Sequence, residues 1–185
     1  MPSKVAVPFE RALYLLHPYN STLITSKGKD GKPNVMAVAW IIPLSVNPPL
    51  VAMSIRPERY SHKLIRETKE FVVNIPTFNQ ARKLLICGRR TGRNTDKLKD
   101  AGFKTRKAEA VAAPLIKDCI AHIECKLVKT IKTGDHALII GRIVAAQASK
   151  QHFKETYNMK KHRPCMHLGK NYFTTCTEQM IEPKL

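Results

Sequence analysis

The chain has 185 residues, 43% of them apolar and 25% charged, proportions that suit one packed domain spanning 1–185 and exclude a wholly disordered chain. Its 32 Lys and Arg stand against 14 Asp and Glu, a net charge of +18, which makes phosphorylated or polyanionic ligands the expected partners. No apolar run approaches the ~18 residues of a membrane span, and the opening MPSKVAVPFERAL carries no signal-peptide core; the reading is a basic, soluble, cytoplasmic protein with no membrane partner.

In chain order, Thr22–Ser26 is short and β-branched, and Asp30-Gly31 after it is a strong hairpin signal because the favoured turn needs positive φ at both central residues. The run Asn34–Ile42 is apolar on both parities, the mark of a strand buried on both faces. Pro48-Pro49 breaks the chain, and Leu50–Ile55 is the next strand, stopped by Pro57. Ser61–Glu70 reads as a surface helix with Ser61 as its N-cap or first-turn hydroxyl. Phe71–Ile75 is a strand ended by Pro76, Gln80–Ile86 a short amphipathic helix, and Asp96–Ala101 a further turn or two. Ala121–Lys129 alternates, as a half-exposed strand does, Gly134-Asp135 turns the chain, and His136–Val144 reads as mostly buried. Asn171–Thr175 is the last short strand. The expected fold is mainly β: six to seven largely antiparallel strands with two or three inserted helices, closed or nearly closed as a barrel to remove sheet edges.

Several chemistries are missing. The sequence has no GxGxxG after a strand, no HExxH and no GxSxG, and Gly88-Arg89-Arg90-Thr91-Gly92 lacks the GK[ST] of a P-loop. Five cysteines, an odd number without CxxC, read as reduced thiols in a reducing compartment, most of them small buried apolar residues. His162, Cys165 and His167 have metal-like spacing without a fourth ligand and read as structural or solvent-exposed. Between Arg82 and Lys107 lie ten Lys or Arg and two acids, but a single-strand nucleic-acid face would add stacking aromatics, and only Phe103 is there. A solvated basic face that attracts an anionic substrate is preferred to a nucleic-acid surface. The loop Arg56-Pro57-Glu58-Arg59-Tyr60-Ser61 is more specific. It sets two guanidinium groups ahead of a helix start with free N–H groups, a combination that favours a phosphate.

The ordered set of Asp30-Gly31, Asn34-x-Met36-x-Val38-x-Trp40, Pro48-Pro49-Leu50-Val51, Ser54-Ile55-Arg56, Arg59-Tyr60-Ser61, Cys87-Gly88, Asp96-Lys97-Leu98, Gly134-Asp135-His136 and Leu168-Gly169-x-x-Tyr172 resembles the flavin reductase-like family, which includes flavoredoxins and archaeal ferric reductases. The resemblance implies a split β-barrel that binds FMN non-covalently near the interface of a homodimer. It implies that Asn34, Val35, Met36, Ala37, Val38, Ala39 and Trp40 lie along the flavin ring, with Trp40 an apolar wall. Ser54, Ile55 and Arg56 then sit near the ribityl chain and phosphate, and Arg59 and Ser61 bind the phosphate. Cys87-Gly88 stands where Ser-Gly is common. Lys97 reaches the flavin from the helical insertion, His136 lies at the ring's periphery, and Tyr172 or Phe173 supplies an aromatic. Ala37 and Ala39 replace frequent hydroxyl residues, so backbone contacts carry more of that wall. FMN chemistry needs no protein acid or base, so no catalytic residue is expected. The implied function is an NAD(P)H-dependent flavin or ferric reductase. An FMN electron-transfer protein of flavoredoxin type, reduced by an electron-donor protein, is the alternative, and a basic nucleic-acid-binding protein the distant one.

Overall fold

The computed structural model describes residues 3–181 and 183. A short helix α1 (Phe9–Ala12) and a 3₁₀ turn (Leu13–Leu16) precede strands β1 (Tyr19–Asn20), β2 (Thr22–Lys27), β3 (Pro33–Val38), β4 (Ile41–Ser45) and β5 (Leu50–Ile55). Helix α2 (Tyr60–Thr68), strand β6 (Glu70–Ile75), α3 (Ala81–Arg89) and α4 (Lys97–Asp100) follow. The chain continues through β7 (Thr105–Arg106), β8 (Leu115–Ile116), β9 (Ala121–Thr133), β10 (His136–Ala148), β11 (Met166–Gly169) and β12 (Tyr172–Thr174). Seven strands form the principal sheet, in the order β3-β2-β6-β9-β10-β5-β4. Every strand pairing is antiparallel.

Its first and last strands are consecutive in sequence. The run Asn34–Ile42, expected as one strand, is therefore two: β3 pairs with β2, β4 pairs with β5, and Ala39-Trp40 turns the corner between them. The sheet curls on itself there, which limits exposed edge. The Asp30-Gly31 hairpin also differs from the two-residue turn expected. Five residues, 28–32, join the strands; Gly31 takes φ +81° and the Asp30 carboxylate accepts the Lys32 N–H. That Asx-type contact does part of the work a second positive-φ residue would do.

The apolar-on-both-faces pattern of β2, β3 and β6 has a direct cause. Ile24, Val38, Phe71 and Val73 fill the inside with Met53, Ile55 and Ile139, whereas Leu23 and Val35 face outward into Leu84, Leu98, Phe103 and Ile116. Helices α3 and α4 thus cover one side of the strands that carry two hydrophobic faces. Gly141 admits the Phe71 ring, which would collide with any Cβ there. The segment 108–115 packs over Val72 and is tied down by Glu124, a fully buried carboxylate that accepts the Glu109 and Ala110 N–H groups at 3.0 and 2.6 Å. The start of β9, expected half-exposed, is buried for this reason. Asn74 joins three elements: its amide donates to Leu23 O and Thr25 Oγ1, and its Oδ1 accepts from the Ile116 N–H and His122 Nδ1.

β10 departs from expectation in the other direction. It alternates more and less buried positions along its length, so the apolar residues at Leu138, Ile140 and Val144 lie on a partly open face. Cα pairing sets Ile42, Ala52 and Ile140 in one cross-strand row on that outer face. Among the described residues no helix is long and apolar enough to cross a membrane.

Candidate functional site

A cleft of about 560 Å³ opens where the β3–β4 corner, the end of β5, the start of α2 and the α3–α4 segment meet. Met36 to Trp40 form one wall and Ser54, Ile55 and Arg56 the adjoining one. Arg59, Ser61, Cys87, Gly88 and Lys97 also line it, Lys97 near enough to feel the Arg59 charge, and His136 flanks Trp40. Fourteen of the residues expected at the site therefore line one cleft, although they span a hundred positions of sequence.

The Arg59–Ser61 side of the cleft is rich in hydrogen-bond donors. The N-cap of α2 is Arg59, which makes Ser61 the first-turn hydroxyl of the two alternatives expected, and no side chain caps the first turn. The first N–H groups and the helix dipole are left for a ligand. Ser61 is the second helical residue and is buried; its hydroxyl accepts a 2.7 Å bond from the Asn34 amide. With one lone pair so occupied, its own O–H proton is free to be donated. Asn34 thus does not line the cleft but orients a residue that does. Val35 faces the core beneath.

Lys97 lines the same cleft as Ser61. Asp96 caps α4 by accepting the Lys99 N–H, which fixes the helix that carries Lys97. The Lys97 ammonium donates to the Cys87 carbonyl at 3.2 Å and is otherwise buried. Burial lowers its pKa to about 8, opposed by Cys87 and aided by Arg59. The Cys87 thiol moves the other way, up to about 11, again chiefly through burial, so it stays neutral and is a weak donor. Among the described residues neither Arg59 nor Lys97 has an ion-pair partner. The cleft carries more cations than carboxylates: Arg56, Arg59, Arg89, Arg90 and Lys97 line it against Glu10 and Glu58.

The opposite end is flatter. The Trp40 and His136 rings stack at 5.0 Å with 32° between planes. His136 Nδ1 donates to Asp135 at 2.7 Å, and Asp135 also pairs with Arg56 at 2.9 Å. The hydrogen bond from His136, then the charges of His136 and Arg56, hold the Asp135 carboxyl below its usual range. Ion pair and bond together fix the imidazole so that Nε2 is the nitrogen left for a ligand. Trp40, 38% exposed, and the outer-face residues Ile42, Leu44 and Val46 beyond it stand in the open.

The sequence matches the flavin reductase like domain over residues 14–175. The chain belongs to the flavin reductase-like family. It is 36% identical over 173 residues to a protein of Archaeoglobus fulgidus, covering 92% of this chain and 96% of that one. It is 30% identical over 141 residues to the flavin reductase of Pseudomonas putida, with 76% and 79% covered. The flavoredoxin of Methanosarcina acetivorans superposes with a TM-score of 0.85 at 27% identity, covering 98% of this chain and 95% of that one. The split barrel implied by the sequence is the fold of this flavin reductase-like chain.

Family-pattern reasoning missed part of the site. Leu13, Tyr14 and His17 of the N-terminal arm reach the cleft, as do Tyr60, Arg90 and Gly92. The arm has no motif to betray it. Gly92 does carry a signal, in the glycine-bounded basic run set aside for lack of a P-loop lysine: a Cβ there would strike the Asn34 amide and crowd the Tyr60 ring. Arg93 lies over that ring at 5.2 Å, so the 88–93 segment folds down on the start of α2. Of the two C-terminal aromatics, Phe173 lines a second chamber beside the cleft, and Tyr172 is exposed and lines neither. His162, Cys165 and His167 part company: the first two are buried, the third reaches both chambers, and the described residues hold no group of three metal-ligating side chains.

Proposed function

We propose that this protein is an FMN-binding flavoprotein, working as an NAD(P)H-dependent flavin or ferric reductase. The observation that carries the reading is the anion end of the cleft: an uncapped helix start, the Arg59 guanidinium, the Ser61 hydroxyl with its proton free, and Lys97 in the same cleft. These donors suit a terminal phosphate monoester better than a neutral flavin, because two cations, a hydroxyl and the uncapped first turn of a helix line one cleft. The residues therefore fit FMN. The group supplies hydride and one-electron chemistry when bound. The chain's task is to hold the phosphate at Ser61, to lay the ring along Met36–Trp40, and to set His136 Nε2 and the Trp40 face at its edge. The 18 excess positive charges gather FMN and a phosphorylated nicotinamide nucleotide alike.

A homodimer is part of the proposal. The outer row Ile42–Ala52–Ile140 is apolar, and Ser54, two residues along β5 from Ala52, is on the same face and in the cleft. A second copy laid on that face would cover the open ring end. Five free cysteines, four of them buried, suit a reducing cytoplasm.

A second reading, an electron-transfer protein reduced by a protein donor, is favoured by the likeness to a flavoredoxin along nearly the whole chain. The test has two steps. Purified protein should take up FMN in solution with quenched flavin fluorescence. Replacing Arg59 and Ser61 together by Ala should weaken that uptake by about 3 kcal/mol, roughly a hundredfold, with the fold intact by circular dichroism. Wild-type affinity in the double variant would sink the phosphate assignment. Anaerobic bleaching of bound FMN by NADH or NADPH supports the reductase. Bleaching by a reduced ferredoxin alone supports the carrier.

A further inference from the structure

The second chamber, about 350 Å³, is separated from the cleft by Gly88 and the Ala37–Ala39 wall. It shares seven of its twelve lining residues with the cleft, Arg89 and His167 among them, and adds Ser21, Leu84, Leu85, Lys170 and Phe173. Leu84, Leu85, Val38 and Phe173 give it an apolar body. At its inner side stands Ser21, 4% exposed, whose Oγ is buried and makes no hydrogen bond among the described residues. The fold does not need that hydroxyl. The Ser21 backbone N–H already donates to Cys165 O at 2.8 Å, and the hydroxyl braces nothing. A buried hydroxyl without a partner is destabilising, so alanine would suit the fold better unless the group meets a ligand.

At the mouth is Arg89. Its guanidinium is held by Asn171 Oδ1 and by the Lys170 carbonyl, through Nε and Nη2. The same carbonyl accepts from His167 Nε2 at 3.2 Å. These bonds leave Nη1 unused among the described residues and fix the direction of the charge. Phe173 and His167 stand as neighbouring rings, 5.5 Å apart, along the chamber side.

We propose that this chamber binds a small aromatic carboxylate, its ring against Leu85 and Phe173 and its carboxylate oxygens accepting from Ser21 Oγ and Arg89 Nη1. The chamber's cations are the anchored Arg89 guanidinium and the Lys170 ammonium, and they accompany an apolar body that a ring fills and a bare phosphate would leave empty. A volume near 350 Å³ lies at the small end of ligand pockets, about 300–1,000 Å³, and suits a single substituted ring. The site is distinct from the phosphate cradle and does not require that FMN be the cofactor.

Benzoate is the probe. It is titrated into isotopically labelled protein, without and with added FMN, and backbone amide shifts are followed. Saturable shifts centred on Ser21, Leu84, Leu85 and Phe173 are expected, with those of Arg59, Lys97 and His136 unmoved. Ser21→Ala should raise the benzoate dissociation constant about tenfold, the loss of one hydrogen bond to a charged group, while its melting temperature stays level or rises. Cyclohexanemethanol, which has a ring but no anion, should bind at least tenfold more weakly than benzoate. The Arg59→Ala/Ser61→Ala variant should lose FMN and keep benzoate, which separates failure of this site from failure of the flavin assignment. Absence of saturable shifts, an unchanged constant in Ser21→Ala, shifts centred on the phosphate cradle, or loss of benzoate in the cradle variant would each overturn the proposal.

Discussion

The two ends of the cleft are made by opposite means. At the anion end two of the three charged or hydroxyl groups are buried and braced within one chain, and only Arg59 is exposed: Asn34 holds Ser61, the Cys87 carbonyl holds Lys97, and Gly92 closes down on Asn34 and Tyr60. At the ring end, Trp40 and His136 stack in a partly open surface, and their neighbours are the exposed apolar side chains Ile42, at 58%, and Val46, at 92%. A compact anion needs donors fixed to within a fraction of an ångström, and a single chain can supply them by packing. A broad planar ring needs area, and this chain leaves that area unfinished. On the proposed reading, the difference teaches that affinity for the phosphate would be an internal property of the fold, whereas affinity for the ring would depend on what covers the outer face.

The largest expected effect breaks the ring end. Ile42→Glu with Leu44→Glu sets two charges on the exposed face of the edge strand β4, where they cost the isolated chain little because both positions are already open. In light scattering the wild type should have the mass of a dimer and the variant that of a monomer. The monomer should bind flavin at least tenfold more weakly, and it should bind inorganic phosphate as the wild type does. A monomeric wild type, or a dimer that survives both charges, would remove the partner from the account of the ring end. Next in size is a change at the other end. Asn34→Ala leaves Ser61 unoriented and opens a small void, which should weaken FMN binding about tenfold and lower stability by about 1–3 kcal/mol. Both can be read from one fluorescence titration and one urea melt. An unaltered affinity would mean that Ser61 needs no orientation.

The anion end was the more legible of the two in the sequence. Arg59 and Ser61 declare themselves because a helix start with nearby cations is a local feature, readable within six residues. Lys97, His136 and the Met36–Trp40 wall came from the ordered pattern of the family and not from their immediate surroundings, since a lysine in a basic segment or an apolar strand residue is ordinary by itself. What local reasoning could not supply was long-range geometry. Nothing near Trp40 announces that the barrel turns its corner there, because the break arises from β3 and β4 pairing with different partners. The burial of β9 depends on a loop pinned by Glu124, and the role of Asn34 depends on a hydroxyl 27 positions away. The outer face of β10 misled for the reverse reason: Leu138, Ile140 and Val144 read as core, although that face is partly open.

The smallest effect sharpens the comparison by pH. In the cofactor-free protein burial lowers the Lys97 pKa to about 8, from 10.5 in the unfolded chain. A phosphate beside it favours the charged ammonium, so the pKa in the complex lies higher and binding takes up a proton above pH 8. Affinity should therefore be greatest between the second phosphate ionisation, near ~6, and the free-lysine value, then weaken as pH rises. With a free pKa of about 8 and a bound one well above it, the dissociation constant should grow roughly threefold from pH 7.5 to 8.5. Stability of the cofactor-free protein should move oppositely. Between about 8 and 10.5 the unfolded chain holds the proton that the folded chain has lost, so unfolding becomes harder as pH rises through that window. Lys97→Met should flatten both curves over this range, because a methionine fills the buried position without a charge to lose. The Trp40 end carries no such buried cation, so a Trp40→Phe variant should keep the full slope. A threefold change that persists in Lys97→Met would assign the titration to another group and leave Lys97 as packing alone.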